Sequence, residues 1–133
     1  MAAAPNRRIL ILDDEVAIAE SLALIFRGCG YEVRSAYTAE QAIETISKWQ
    51  PDLAIVDVML PQMNGIEFGI VLTSNYPMCR VVLVSGHPGA AELLETARRR
   101  GCEFEILAKP LHPDVFVEIV SKMLPRSSNA HDA

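Results

Sequence analysis

Three carboxylates, a hydroxyl and an ammonium stand at separated points of the chain: Asp13 with Asp14, then Asp57, Ser85 and Lys109. Taken singly, each is ordinary. An Asp after a strand is commonly a helix N-cap or turn former. A Lys before a Pro is usually a solvated surface residue, and Ser85 in Ser85-Gly86-His87-Pro88-Gly89 suits a turn. Gathered at one place they would do more. Three packed carboxylates repel one another, so the bare cluster is costly. A divalent cation resolves the repulsion, and a few hard oxygen ligands with waters retained suit Mg²⁺. A metal beside an ionised Asp57 and a cationic Lys109 makes a place for a dianionic phosphoryl group. Metal and ammonium stabilise its equatorial oxygens while a carboxylate attacks in line. Carboxylates are nucleophiles of this kind, and the product would be an aspartyl phosphate on Asp57. Ser85 can donate a hydrogen bond to a phosphoryl oxygen. His87 is either a further group at that mouth or a loop histidine in solvent.

The elements around these residues bring them together. Arg8-Ile9-Leu10-Ile11-Leu12, Leu53-Ala54-Ile55-Val56-Asp57 and Val81-Val82-Leu83-Val84-Ser85 are short apolar runs that read as buried strands. Residues 31–36 alternate like an edge strand, and residues 104–108 read as a fifth strand. Between them lie helix signals. Residues 15–28 place Ile18, Leu22, Ile25 and Phe26 at helical spacing and stop at Gly28 and Gly30. Thr38 with Gln41 is a capping box that opens a helix to about Trp49. Residues 65–76 and 90–100 suit two more, the latter stopped by Gly101. Pro113 fits the first position of a last helix to about Leu124. Five strands alternating with five helices predict a doubly wound α/β fold with a parallel sheet covered on both faces. In such sheets ligands sit beyond the carboxyl ends of the strands. Asp13-Asp14, Asp57, Ser85 and Lys109 all fall there.

The remaining features exclude more than they assign. The net charge of -5 argues against gripping nucleic acid, which needs clustered cations. The basic run Arg98-Arg99-Arg100 is better read as cations at the negative end of a helix dipole. Cys29, Cys79 and Cys102 are widely spaced and form no CxxC or His/Cys cluster, so they read as small buried thiols. No apolar run is long enough for a signal peptide or a membrane-spanning helix. A cytoplasmic location is the default. Residues 1–6 and 125–133 read as tails around one domain over 7–124.

Five segments carry a resemblance in the right order and spacing: Ile11-Leu12-Asp13-Asp14-Glu15, Ile55-Val56-Asp57-Val58-Met59-Leu60-Pro61, Asn64-Gly65, Val84-Ser85-Gly86 and Ala108-Lys109-Pro110. Together they resemble the receiver domain of bacterial two-component response regulators, over about residues 7–124. The resemblance implies a flavodoxin-like (βα)5 fold with strand order 2-1-3-4-5. It also implies that Asp57 takes a phosphoryl group from a phosphohistidine on a sensor histidine kinase or a histidine phosphotransfer protein. Asp14, Asp57 and the Met59 carbonyl would ligate Mg²⁺ directly, and Asp13 would act through a water. Lys109 would pair with the phosphoryl group, the Lys109-Pro110 bond would be cis, and Ser85 would swing toward the phosphate. Such a module turns over no separate substrate beyond its own phosphorylation and slow dephosphorylation. Its downstream protein is not named by the sequence. A homodimer would form through the fourth helix, fifth strand and fifth helix.

One position departs from the pattern. Most receivers carry Tyr or Phe three residues before the Lys as a second switch side chain, and here Ile106 stands there. Phe104 lies two residues earlier, on the same strand face in a regular strand. A β-branched side chain is stiff at χ1 and makes a poor rotamer switch. The signal is therefore expected to run through Ser85 and the loop 86–89. The segment 125–133 is too short to bind DNA or do chemistry, so the expectation is either a stand-alone receiver, favoured by the start at Met1, or a fragment of a longer regulator. Three other classes compete with this reading. A phosphatase with an Asp nucleophile would carry an Asp-x-Asp after the first strand. A flavodoxin-like nucleotide module would carry a Gly-rich phosphate loop. A degenerate receiver that only makes protein contacts is disfavoured by the full acid set and mildly favoured by Ile106. A phosphate sink that drains a shared kinase is the alternative to a switched output.

Overall fold

The structure is a computed structural model, and it describes residues 7–61, 63–86, 92, 95, 98, 99, 101, 104–109 and 112–125. Five parallel strands stand in the order β2-β1-β3-β4-β5: β1 Arg8–Leu12, β2 Glu32–Ala36, β3 Leu53–Asp57, β4 Arg80–Ser85 and β5 Glu105–Ala108. The three central strands are the continuous apolar runs. Residues pointing to either side of them are buried, as a sheet covered on both faces requires. β2 and β5 are the edges and carry exposed residues.

Side-chain alternation along the strands divides the core in two. Leu10, Leu12, Ala54, Val56, Val81 and Leu83 face one way and pack against helices α2 (Ala39–Lys48) and α3 (Gly65–Asn75). Ile9, Ile11, Leu53, Ile55, Val82 and Val84 face the other way. They pack against α1 (Val16–Gly28) and the last helix, Pro113–Met123.

Local chemistry sets the helix ends. Thr38 caps α2 by accepting the Gln41 N–H, while Gln41 accepts the Tyr37 N–H, so the box closes one residue before the cap. Trp49 has extended backbone and ends that helix at Lys48. Glu15 is extended, so α1 starts at Val16. Pro113 does open the last helix, with the His112 side chain accepting the Asp114 N–H at its cap. The apolar stripe of α1 is rotated from the one expected. Its buried residues are Ala19, Leu22, Ala23 and Phe26, whereas Ile18 is 37% exposed. Small Ala19 and Ala23 let the helix sit close to the sheet and take the core positions. The helix expected over 90–100 falls largely outside the described residues; Glu92, Glu95, Arg98 and Arg99 are helical. Cys79 is buried and Cys29 half-buried, while Cys102 lies outside the described residues. No helix among the described residues is long and apolar enough to cross a membrane.

Candidate phosphoacceptor site

The ladder of the sheet continues past the strand ends and pins the loops there. The Asp13 N–H donates to the Ala36 carbonyl at 3.1 Å, Val58 to Val84 at 3.0 Å, and Lys109 to Ser85 at 2.9 Å. These bonds hold the ends of β1, β3 and β5 level at the carboxyl edge. The loop after β3 is tied back by the Gly65 N–H donating to the Val58 carbonyl at 2.8 Å. A Cβ on Gly65 would stand 2.2 Å from the Asp57 carbonyl oxygen, so no other residue fits without moving that backbone. Asn64 caps α3 by accepting the Glu67 N–H at 2.8 Å. The Asn64-Gly65 pair thus sets where β3 ends and how closely α3 approaches Asp57.

The expected site residues meet. Asp13, Asp14 and Asp57 each present a carboxylate oxygen, and the three oxygens lie within 4.8 Å of one another. Asp13 and Asp57 are buried, and Asp14 is exposed. The Lys109 Nζ lies 3.2 Å from Asp13 Oδ2, 3.5 Å from Asp57 Oδ2 and 3.7 Å from Glu15 Oε1. The other oxygens of the buried pair are held by backbone: Asp13 Oδ1 accepts the Glu15 N–H at 2.9 Å, and Asp57 Oδ1 accepts the Met59 N–H at 3.2 Å. Ser85 is buried at the adjoining strand end. Phe104 and Ile106 pack on the same side of the sheet, against the α2 and α3 layer. The Phe104 ring reaches α3, where its nearest atom lies 3.2 Å from the point a Cβ on Gly69 would occupy. His87 and Pro110, and so the Lys109-Pro110 peptide, lie outside the described residues.

Burial pushes the Asp57 carboxyl above its usual range, and Asp13 and Asp14 push the same way; the Met59 N–H and Lys109 oppose them without cancelling. Burial alone would lower Lys109. Its charges and hydrogen bond with Asp13, and the charges of Asp57 and Glu15, outweigh that and hold the ammonium above its usual value. Glu15 was missed as a participant. Its only signal was adjacency to Asp13-Asp14, and its geometry depends on the extended cap that ends the loop before α1.

Residues 9–121 match the family model of the response regulator receiver domain. The chain belongs to that family. The receiver is 31% identical over 124 residues to sporulation initiation phosphotransferase F of Bacillus subtilis, covering 93% of this chain and 98% of that one. It is 30% identical to the DNA-binding response regulator MtrA of Mycobacterium tuberculosis, with 93% of this chain covered but only 53% of the relative. The chain therefore spans about half of that longer protein. Among solved structures, a CheY-like receiver domain from Methanospirillum hungatei superposes with a TM-score of 0.80 at 29% identity, covering 89% of this chain and 93% of that one. The response regulator TrrA of Thermotoga maritima, solved in complex with Mg(2+)-BeF, gives 0.75 at 27% identity, covering 89% and 99%. The order 2-1-3-4-5 and the flavodoxin-like fold stand as expected.

Proposed function

We propose that this receiver is switched by transfer of a phosphoryl group to Asp57 from a phosphohistidine on a sensor histidine kinase or a histidine phosphotransfer protein in the cytoplasm. The observation that carries the reading is the buried Asp57 carboxylate, flanked by Asp13 and Asp14 and faced by the Lys109 ammonium at one sheet edge. An Asp57 oxygen attacks phosphorus in line. The new P–O bond forms as the P–N bond breaks, and the imidazole leaves with its electron pair. Lys109, held protonated by its acidic neighbours, is within reach of the phosphoryl oxygens. Ser85 would donate a hydrogen bond to one of them.

The donor set fits Mg²⁺: carboxylate oxygens only, few in number, with Asp14 open to solvent so that waters stay on the ion. Asp14, Asp57 and the Met59 carbonyl would hold it directly and Asp13 through a water. When bound, it neutralises the carboxylates and the phosphoryl oxygens. The TrrA structure with Mg(2+)-BeF supports this assignment. Intact mass with and without a small phosphodonor tests the reading. One added phosphoryl group that requires Mg²⁺ supports it, and no gain under any donor contradicts it.

Output is proposed to run through Ser85 and the loop that follows it, with Phe104 as a fixed hydrophobic contact against α3. Ile106, at the usual aromatic position, favours a second reading, a phosphate sink or contact module. Chemical-shift mapping separates the two. Changes that spread beyond the phosphate shell and shrink in Ser85→Ala support the switch, and changes confined to that shell support the sink.

A further inference from the structure

A cavity of about 400 Å³ opens between α1 and the last helix, directly beside the phosphoacceptor. Its apolar lining comes from three elements: Leu22 and Ile25 of α1, Ile55 and Val84 of the sheet, and Phe116 of the last helix. Asp13, Asp57 and Lys109 form its polar end. Clefts of roughly 300–1,000 Å³, mostly apolar with a few convergent polar groups, are the usual form of small-molecule sites. Ile18, 37% exposed on the rim, leaves the cavity open to solvent along α1. The lining runs from Ala17 to Ile25 along that helix, about 12 Å at the helical rise.

The charge at the polar end selects the ligand. Asp13, Glu15 and Asp57 share one ammonium, Lys109, and Asp14 adds a fourth carboxylate beside them. With no metal on these carboxylates, an anionic head group would meet net repulsion, and a neutral one would leave this excess uncompensated. We infer that the cavity binds amphipathic cations, a primary alkylammonium of six to eight carbons being the matching chemistry. The chain would lie along Ala17, Ile18 and Ile25 of α1 and Pro113 of the last helix, the open part of the lining over buried Leu22, Ile55 and Phe116, and the cationic head would reach Asp13 and Asp57. Because the head occupies the carboxylates assigned to Mg²⁺, such a ligand would slow Mg²⁺-dependent phosphorylation. That consequence rests on the proposed function, whereas binding itself does not.

The test is a titration of the metal-free protein with propyl- to octylammonium, read by methyl and amide shifts with no phosphodonor present. Saturable shifts at Ala17, Ile18 and Ile25 are expected, with affinity rising roughly two- to fourfold per added methylene. Hexylammonium should bind at least tenfold more tightly than hexanol, and saturating Mg²⁺ should weaken it by a similar factor. Absence of saturable binding, or equal binding of hexanol, would overturn the inference. Ser21 is exposed on α1 and lines the cavity. Ser21→Phe should place a ring across it and weaken hexylammonium at least tenfold. Unchanged affinity in that variant, with a wild-type thermal transition, would also overturn it. The chain-length series decides the matter if the variant fails to fold. Acetyl phosphate labelling of the same sample is scored separately, so either reading can fail alone.

Discussion

Lys109 is ion-paired to Asp13 at 3.2 Å, closer than its 3.5 Å approach to Asp57, although 96 residues separate the pair in the chain. The lysine that would pair with the phosphoryl group is thus held beforehand by an acid that would not carry it. Asp13 orients the ammonium, and Asp57 keeps an oxygen directed to the same point.

Lys109→Gln should leave three acidic neighbours without their cation. Loss of metal-free stability at pH 7 on the order of 1–3 kcal/mol is expected by urea unfolding, the cost of leaving buried charge unpaired. Phosphorylation by a small donor should slow at least tenfold at fixed Mg²⁺. A variant as stable and as fast as wild type would remove Lys109 from the site.

Asp57 carries a pH signature of the opposite sense to an ordinary salt-bridged acid. Its folded-state pKa is raised above the usual 3.8, so its proton is bound more tightly in the folded than in the unfolded chain. Ionising it costs stability. The cost is full above the raised value, fades as pH falls from there toward 3.8, and is gone below 3.8. Metal-free Asp57→Asn should therefore be more stable than wild type at pH 7, with the gap closing in acid. Mg²⁺ should stabilise wild type more than the variant. Unfolding curves at a series of pH values check both signs.

Asp14 is the exposed member of the acid cluster. Asp14→Ala should cut Mg²⁺ affinity by on the order of tenfold or more while leaving the fold intact. A Mg²⁺ titration of the Asp57 and Met59 amides reads this directly. Undiminished affinity would place the ion elsewhere.

Gly69 lies inside α3, where glycine costs about 1 kcal/mol relative to alanine. A Cβ there would stand 3.2 Å from the Phe104 ring and 3.3 Å from Val81. Gly69→Ala should nonetheless destabilise, by about 1 kcal/mol, because the crowding outweighs the helix gain. Phe104→Leu should relieve it, with a coupling of at least about 0.5 kcal/mol in a double-mutant cycle. Additive effects would mean that the ring does not rest on Gly69.

The central strands were legible because both of their faces are buried and their apolar runs end abruptly at Asp13, Asp57 and Ser85. The placement of Asp13, Asp14, Asp57, Ser85 and Lys109 followed from the rule that strand ends carry the site. The rest depended on side-chain size and direction, which periodicity does not report. Ile18 matched the helical spacing yet stands on the rim, because Ala19 and Ala23 bring α1 close to the sheet. Asn64-Gly65 was recognised as a motif, but its reason, that any Cβ on Gly65 would collide with the Asp57 carbonyl oxygen, appears only in three dimensions. Glu15 reaches Lys109 through a cap conformation that no residue type announces.

Phosphorylation of Asp57 is the central claim, and mapping the modified residue tests it most directly. Wild type and Asp57→Asn are incubated with acetyl phosphate and Mg²⁺, reduced with borohydride, and the peptides weighed. Reduction of an aspartyl phosphate converts that residue to homoserine. Conversion at position 57 in wild type, and at no residue in Asp57→Asn, is the expected result. Conversion at another residue in wild type, or equal labelling of the variant, would contradict the account.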